Sequence, residues 1–175
     1  MNDDDFSQER FDRLSAGQSI LEIVRSGVLS ARPSEPLFRA AVLALVVDLN
    51  FLLLAMAAAN RRFDRLPFAP ARPRKDGTPA DLTEVIRRFR NSLCHAGGPE
   101  REWLGDEDDG SSVRVGWIVI AGGVAGVQGW GGRKMPAPPD GDLMVGTGGH
   151  FLMVNADLRY AIEDALDFAG VSWRR

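Results

Sequence analysis

The sequence predicts an α+β fold that is mainly α: a helical bundle with a small antiparallel β-hairpin or sheet inserted before the C-terminal helix. Three observations carry this. Apolar residues recur at helical spacing through the first hundred residues and again near the C-terminus. Short β-branched and aromatic runs lie between Val113 and Val154, punctuated by glycine. The length, 175 residues, suits a single domain over 1–175.

The elements follow in order. Residues 1–5 are acidic and are expected to fray. From Phe6 to Val28, the positions Phe11, Leu14, Leu21, Val24 and Val28 predict a helix, which Gly17 weakens. Ser34 is a candidate N-cap with Pro36 in the first turn, opening a second helix over about Glu35–Arg65. Its row Leu37, Ala41, Ala44, Asp48, Phe51, Ala55 and Ala58 is rich in small residues, which lets another helix come close. A lone carboxylate in that row is costly to bury, so Asp48 needs a basic or hydrogen-bonding partner. Pro67, Pro70, Pro73 and Gly77 mark a loop. Thr78 is a second candidate N-cap, with Pro79 following and Asp81 at N3. The third helix presents Leu82, Val85, Ile86, Phe89 and Leu93, and Gly97-Gly98-Pro99 stops it.

Residues 100–154 read as loop and β insertion. Val113–Ile120 and Val124–Trp130 predict a hairpin around Gly122-Gly123. Phe151–Val154 is a third strand that starts as early as Leu143. Asn155 then caps a last helix with Leu158, Ile162, Leu166 and Phe168 facing inward.

Composition narrows the function. A single cysteine, Cys94, excludes an internal disulfide framework, and two histidines, His95 and His150, leave little for a metal site. No metal or cofactor is expected. The acidic start is the reverse of a secretory signal. In the second helix the longest uncharged piece is Leu49–Asn60, twelve residues, short of a membrane span, so a buried core helix and a cytoplasmic location are expected. The net charge is −3, yet residues 61–90 hold nine basic and four acidic residues, a local +5. Arg61, Arg62, Arg65, Arg87 and Arg88 are the candidates for contacting RNA phosphates, because a guanidinium fork suits phosphate. Two solvated helix ends explain the same charge run equally well.

The stretch Arg87-Arg88-Phe89-Arg90-Asn91-Ser92-Leu93-Cys94-His95-Ala96-Gly97-Gly98 closes the third helix with an arginine, an asparagine directly after it, and a histidine five positions on. Arg90-Asn91-Ser92-Leu93-Cys94-His95 resembles the Arg-x4–6-His motif of HEPN domains in its Arg-Asn-x-x-x-His form. The resemblance covers residues 6–98 and 155–170, with the β insertion as a departure. It implies a HEPN-like helical bundle and a metal-independent endoribonuclease of toxin or antiphage systems. It further implies catalytic roles for Arg90, Asn91 and His95, with RNA as substrate, a homodimer and a cognate antitoxin as a further partner. A non-catalytic HEPN-like binding module or a plain helical scaffold is the alternative.

The chemistry is consistent with the residue types. A 2′-hydroxyl attacking the neighbouring phosphate needs a base near neutral pH, which histidine supplies, and a cation for the developing charge, which arginine supplies. Asn91 lies one helical turn before His95, placed to orient it or the phosphate. Arg90 and His95 fall roughly 140° apart on a regular helix. They converge if the last turn frays, if Arg90 reaches round, or if two copies contribute, with an interface beside the third helix. On the structural reading, Arg90 pairs with Asp48 and His95 bonds the last helix carbonyls.

The remaining features read as structure. Gly146-Thr147-Gly148-Gly149 is a turn, because no helix with a Gly-Lys-Ser/Thr signature follows it. Cys94 is a buried free thiol. His150 is structural, Trp103, Trp117, Trp130 and Trp173 are packing residues, and Asp106–Asp109 is solvated loop.

Overall fold

The computed structural model describes residues 3–30, 36–59, 80–95, 102–104, 112–114, 116–123 and 137–173. They form two compact units. The first holds the described residues up to Ala59 together with Tyr160–Trp173, and the second those from Ala80 to Arg159. The fold is largely helical, with a three-stranded antiparallel sheet before the C-terminal helix.

In the first unit, helix α1 (Asp3–Arg25) starts within the acidic triplet, where negative charge favours a helix N-terminus. It ends at Gly27, whose φ of +72° suits glycine, and a 3-10 turn (Val28–Ser30) follows. Gly17 has a packing reason. A Cβ there would sit 2.8 Å from Val171 Cγ2 and 2.9 Å from the Ala169 methyl, so glycine lets the C-terminal segment lie against α1. Helix α2 (Pro36–Ala58) packs on α1 and buries Phe38, Val42, Leu45, Val46, Leu49, Leu52, Leu53 and Met56. Asp48 has its expected partner: the Ser19 hydroxyl of α1 donates to Asp48 Oδ2 at 2.6 Å.

Two expectations for this helix change. The chain leaves helical geometry at Ala59, short of Arg65, and residues 60–79 lie outside those described. The helix is also buried on one face only, the one that carries the eight core residues. Leu37, Leu43, Val47, Phe51 and Leu54 are exposed. Among the described residues α2 is the one helix long and apolar enough to cross a membrane, with a mean hydropathy of 2.3 over its most apolar stretch.

In the second unit, helix α3 (Leu82–Cys94) buries Leu82, Val85, Ile86 and Phe89 as expected. Its cap is Asp81, not Thr78: the Asp81 carboxylate accepts the Glu84 backbone N–H at 2.8 Å, and Ala80 and Asp81 are not helical. The short strands β1 (Glu102–Leu104) and β2 (Ser112–Arg114) pair antiparallel. A second sheet has the order β3-β4-β5, from β3 (Ile118–Ala121), β4 (Leu143–Thr147) and β5 (His150–Met153). The expected run Val113–Ile120 is therefore divided between two sheets. β3 pairs with β4, Ile118 opposite Gly146 and Ala121 opposite Leu143, and Val124–Trp130 lies outside the described residues. β4 and β5 form a hairpin across Gly148-Gly149. Ile120, Met144, Phe151 and Met153 make the sheet's own core, and α3 packs on β4 and β5.

The closing helix α4 (Arg159–Ala169) is preceded by a π-helical turn (Val154–Leu158). Asn155 does not cap it. The buried carboxylate of Asp142 does so from the strand side, accepting the N–H groups of Leu143 (2.7 Å), Asn155 (2.8 Å) and Ala156 (3.1 Å). Leu158, Ile162 and Leu166 are buried as expected, while Phe168 is half-buried with the Arg13 guanidinium 5.3 Å above its ring.

Candidate active site at the end of helix α3

Helix α3 holds three described arginines in four residues, and they differ in how they are paired. Arg87 makes a two-pronged contact with Glu84, Nε to Oε2 at 2.9 Å and Nη2 to Oε1 at 2.6 Å. Arg88 reaches the same carboxylate from one turn away, Nε to Oε1 at 2.9 Å. Burial works to raise the Glu84 carboxyl pKa. The hydrogen bonds and charges of Arg87 and Arg88 outweigh it and hold the pKa below its ordinary value. Arg61, Arg62 and Arg65, the other proposed phosphate contacts, lie outside the described residues.

Arg90 is different. Its Nη1 donates to the side-chain oxygen of Asn91 at 3.0 Å, and no carboxylate pairs with it among the described residues. Its Nε is buried without a hydrogen-bond partner among the described residues. A guanidinium carries five N–H donors, and one of them is used in a bond to a described residue. Asp48, the alternative partner considered for Arg90, bonds Ser19.

The helix ends one residue before His95. His95 is the C-cap, with φ −117° and ψ 94°, and its backbone N–H still reaches Asn91 O at 2.9 Å. The backbone at His95 therefore leaves the regular helical direction, as in a frayed last turn, one of the three arrangements under which His95 and Arg90 converge. His95 is exposed, and no described hydrogen bond joins its ring to Arg90 or Asn91. The structure thus links Arg90 to Asn91 through side chains and Asn91 to His95 through the backbone. Cys94 is exposed, not buried.

What holds this helix end was missed from sequence. Ser92, fully buried between Asn91 and His95, shares a 2.7 Å hydrogen bond with the buried hydroxyl of Thr147 at the end of β4. Thr147 in turn stands opposite His150 in the hairpin register. His150 is buried in the sheet, consistent with a structural histidine. No local pattern marks a bond spanning 55 residues. Among the described residues no group of three or more His, Cys, Asp or Glu is placed to hold a metal ion.

Compared with known proteins, the chain matches no family model, no curated protein and no solved structure.

Proposed function

We propose that this chain is a metal-independent endoribonuclease of the HEPN type, acting in a toxin or antiphage setting. The observation that supports it best is the guanidinium of Arg90, with which no described carboxylate pairs. It is steadied on Asn91 and followed one turn later by the exposed imidazole of His95. Arg87 and Arg88 on the same helix are tied to Glu84, which leaves Arg90 as the described arginine of α3 free of a carboxylate. On this reading His95 takes the proton of a ribose 2′-hydroxyl and Arg90 holds the phosphate oxygens. The 2′-oxygen forms a bond to phosphorus, the bond to the 5′-oxygen breaks, and that oxygen leaves with a proton taken from solvent, to which His95 later returns the one it accepted. The ends are a 2′,3′-cyclic phosphate and a 5′-hydroxyl. Two copies act together, and an antitoxin restrains them.

An RNase assay in the presence of a chelator tests this. The wild-type chain cleaves and leaves cyclic phosphate ends. Arg90→Ala and His95→Ala each lose roughly 10²–10⁴-fold in rate while circular dichroism stays unchanged. Absence of cleavage by the folded wild type, or full activity of His95→Ala, refutes the reading. The rival reading, a non-catalytic HEPN-like binding module, is favoured by one observation: the His95 ring makes no described hydrogen bond to Arg90 or Asn91.

A further inference from the structure

The HEPN resemblance gives the inserted sheet no role, yet one contact ties that sheet to the candidate site. Ser92 lies between Asn91 and His95 and is the last fully buried residue of α3. Leu93 is half-buried, and Cys94 and His95 are exposed. The Ser92 hydroxyl meets the Thr147 hydroxyl of β4 at 2.7 Å. Upstream, α3 is seated by Leu82, Val85, Ile86 and Phe89. Apolar burial of that kind is non-directional and tolerates small rotations and slides of the helix. A hydrogen bond weakens steeply when it is bent or stretched. The hydroxyl pair therefore sets the rotation and height of the last turn, which the apolar contacts leave loose.

The strand side of this bond is a firm support. Every residue from Met144 to Val154 is buried, including Gly148-Gly149 at the hairpin tip. β4 is the central strand, paired with β3 on one side and β5 on the other. Gly146 stands opposite Phe151, and a Cβ at Gly146 would lie 2.8 Å from Phe151 Cδ1, so the ring rests directly on the strand next to Thr147. Thr147 is itself β-branched and stiff at its first side-chain torsion, which holds its hydroxyl in one direction. On the helix side, the backbone bond from His95 N–H to Asn91 O, 2.9 Å long, closes the last turn around Ser92. His95 thus stands three residues past the anchor, while Arg90 lies before it, next to the buried Phe89.

We infer that, given the Arg90–His95 site proposed above, Thr147 is a positioning residue: through Ser92 it holds the His95 end of α3 in one place relative to Arg90. The inserted sheet then supports the site from behind. A base must come within hydrogen-bond reach of the 2′-hydroxyl while the guanidinium holds the phosphate. A displacement of about 1 Å costs about 10²-fold in rate. Because Arg90 is seated upstream of the anchor, loss of the Thr147 hydroxyl falls on the chemical step and spares the binding of RNA.

The test uses the full chain in three forms: wild type, Thr147→Val, which keeps the shape without the hydroxyl, and Thr147→Ser, which keeps the hydroxyl. All are compared at a temperature where circular dichroism shows each one folded. In RNA cleavage, Thr147→Val loses about ten- to a hundredfold in kcat with KM within about twofold, and Thr147→Ser stays within about threefold of wild type. A second readout needs no RNA. Amide relaxation by NMR shows the order parameters of Leu93, Cys94 and His95 falling from about 0.85 to below about 0.6 in Thr147→Val but not in Thr147→Ser. Unchanged order at Leu93–His95 in Thr147→Val overturns the inference. So does loosening spread evenly along α3, or a kcat loss that Thr147→Ser shares. A wild type that leaves RNA intact while Thr147→Val still loosens Leu93–His95 refutes the nuclease and supports the positioning role of Thr147.

Discussion

The hydroxyl pair Ser92–Thr147 makes the sharpest stability prediction, because both groups are fully buried and 2.7 Å apart. Ser92→Ala leaves the fully buried Thr147 hydroxyl without its described partner. The expected loss is about 1–3 kcal/mol, the desolvation cost of an orphaned polar group. Thr147→Val keeps the shape of the side chain, and Ser92 makes a further interaction of its own, so the loss there is smaller, about 1 kcal/mol. The double variant loses less than the sum, because its buried pair is apolar on both sides, with a coupling of about 1–2 kcal/mol. Urea unfolding of the wild type, both single variants and the double variant measures this cycle. Additivity within about 0.5 kcal/mol shows that the two groups do not interact, and the anchoring of the α3 end to β4 is then wrong.

Three further predictions follow from other contacts. Asp142→Asn leaves one acceptor oxygen where two had received three backbone N–H groups, and it lowers unfolding stability by about 2 kcal/mol in urea titrations. Glu84 has a lowered pKa, so its stabilisation is fully present above the ordinary value of 4.5 and fades as pH falls through its folded value. The stability gap between wild type and Glu84→Gln is therefore constant from pH 7 to 5 and closes toward pH 3; a gap that widens in acid contradicts this sign. Gly122→Ala sets a Cβ onto the Pro139 carbonyl oxygen, which also accepts the Asp142 N–H, and it costs at least about 1–3 kcal/mol by thermal unfolding.

The helices were legible in the sequence because their signals are local. The apolar spacing of Leu82, Val85, Ile86 and Phe89 and the partner demanded by Asp48 both hold in the structure. What escaped depends on contacts between distant positions. Thr78-Pro79 looked like a stronger helix start than Asp81, although Asp81 with Glu84 three residues later is the arrangement that caps the helix. The pairing of β3 with β4 joins positions far apart in sequence, Ile118 opposite Gly146, and no local pattern marks it. Asn155 has the right residue type for a cap, but Asp142 offers a full charge to the same N–H groups. Arg90, Asn91 and His95 could be named from their spacing. That no described carboxylate pairs with Arg90 while Arg87 and Arg88 share Glu84 depends on side-chain contacts that spacing does not encode, and so does the exposure of one face of α2.

The capping of the turn that opens the C-terminal helix by Asp142 has a consequence for the order of assembly. The N–H groups of Asn155 and Ala156 are held by a side chain thirteen and fourteen residues upstream, not by a neighbour. The helix that follows has eleven residues, too few to persist alone in water. Its start is secured only once the ribbon between Asp142 and Met153 has closed. Maturation of the C-terminus thus waits on the hairpin. A pulse-labelling experiment during refolding should find the amides of Val145 and Leu152 shielded before those of Ile162 and Leu166.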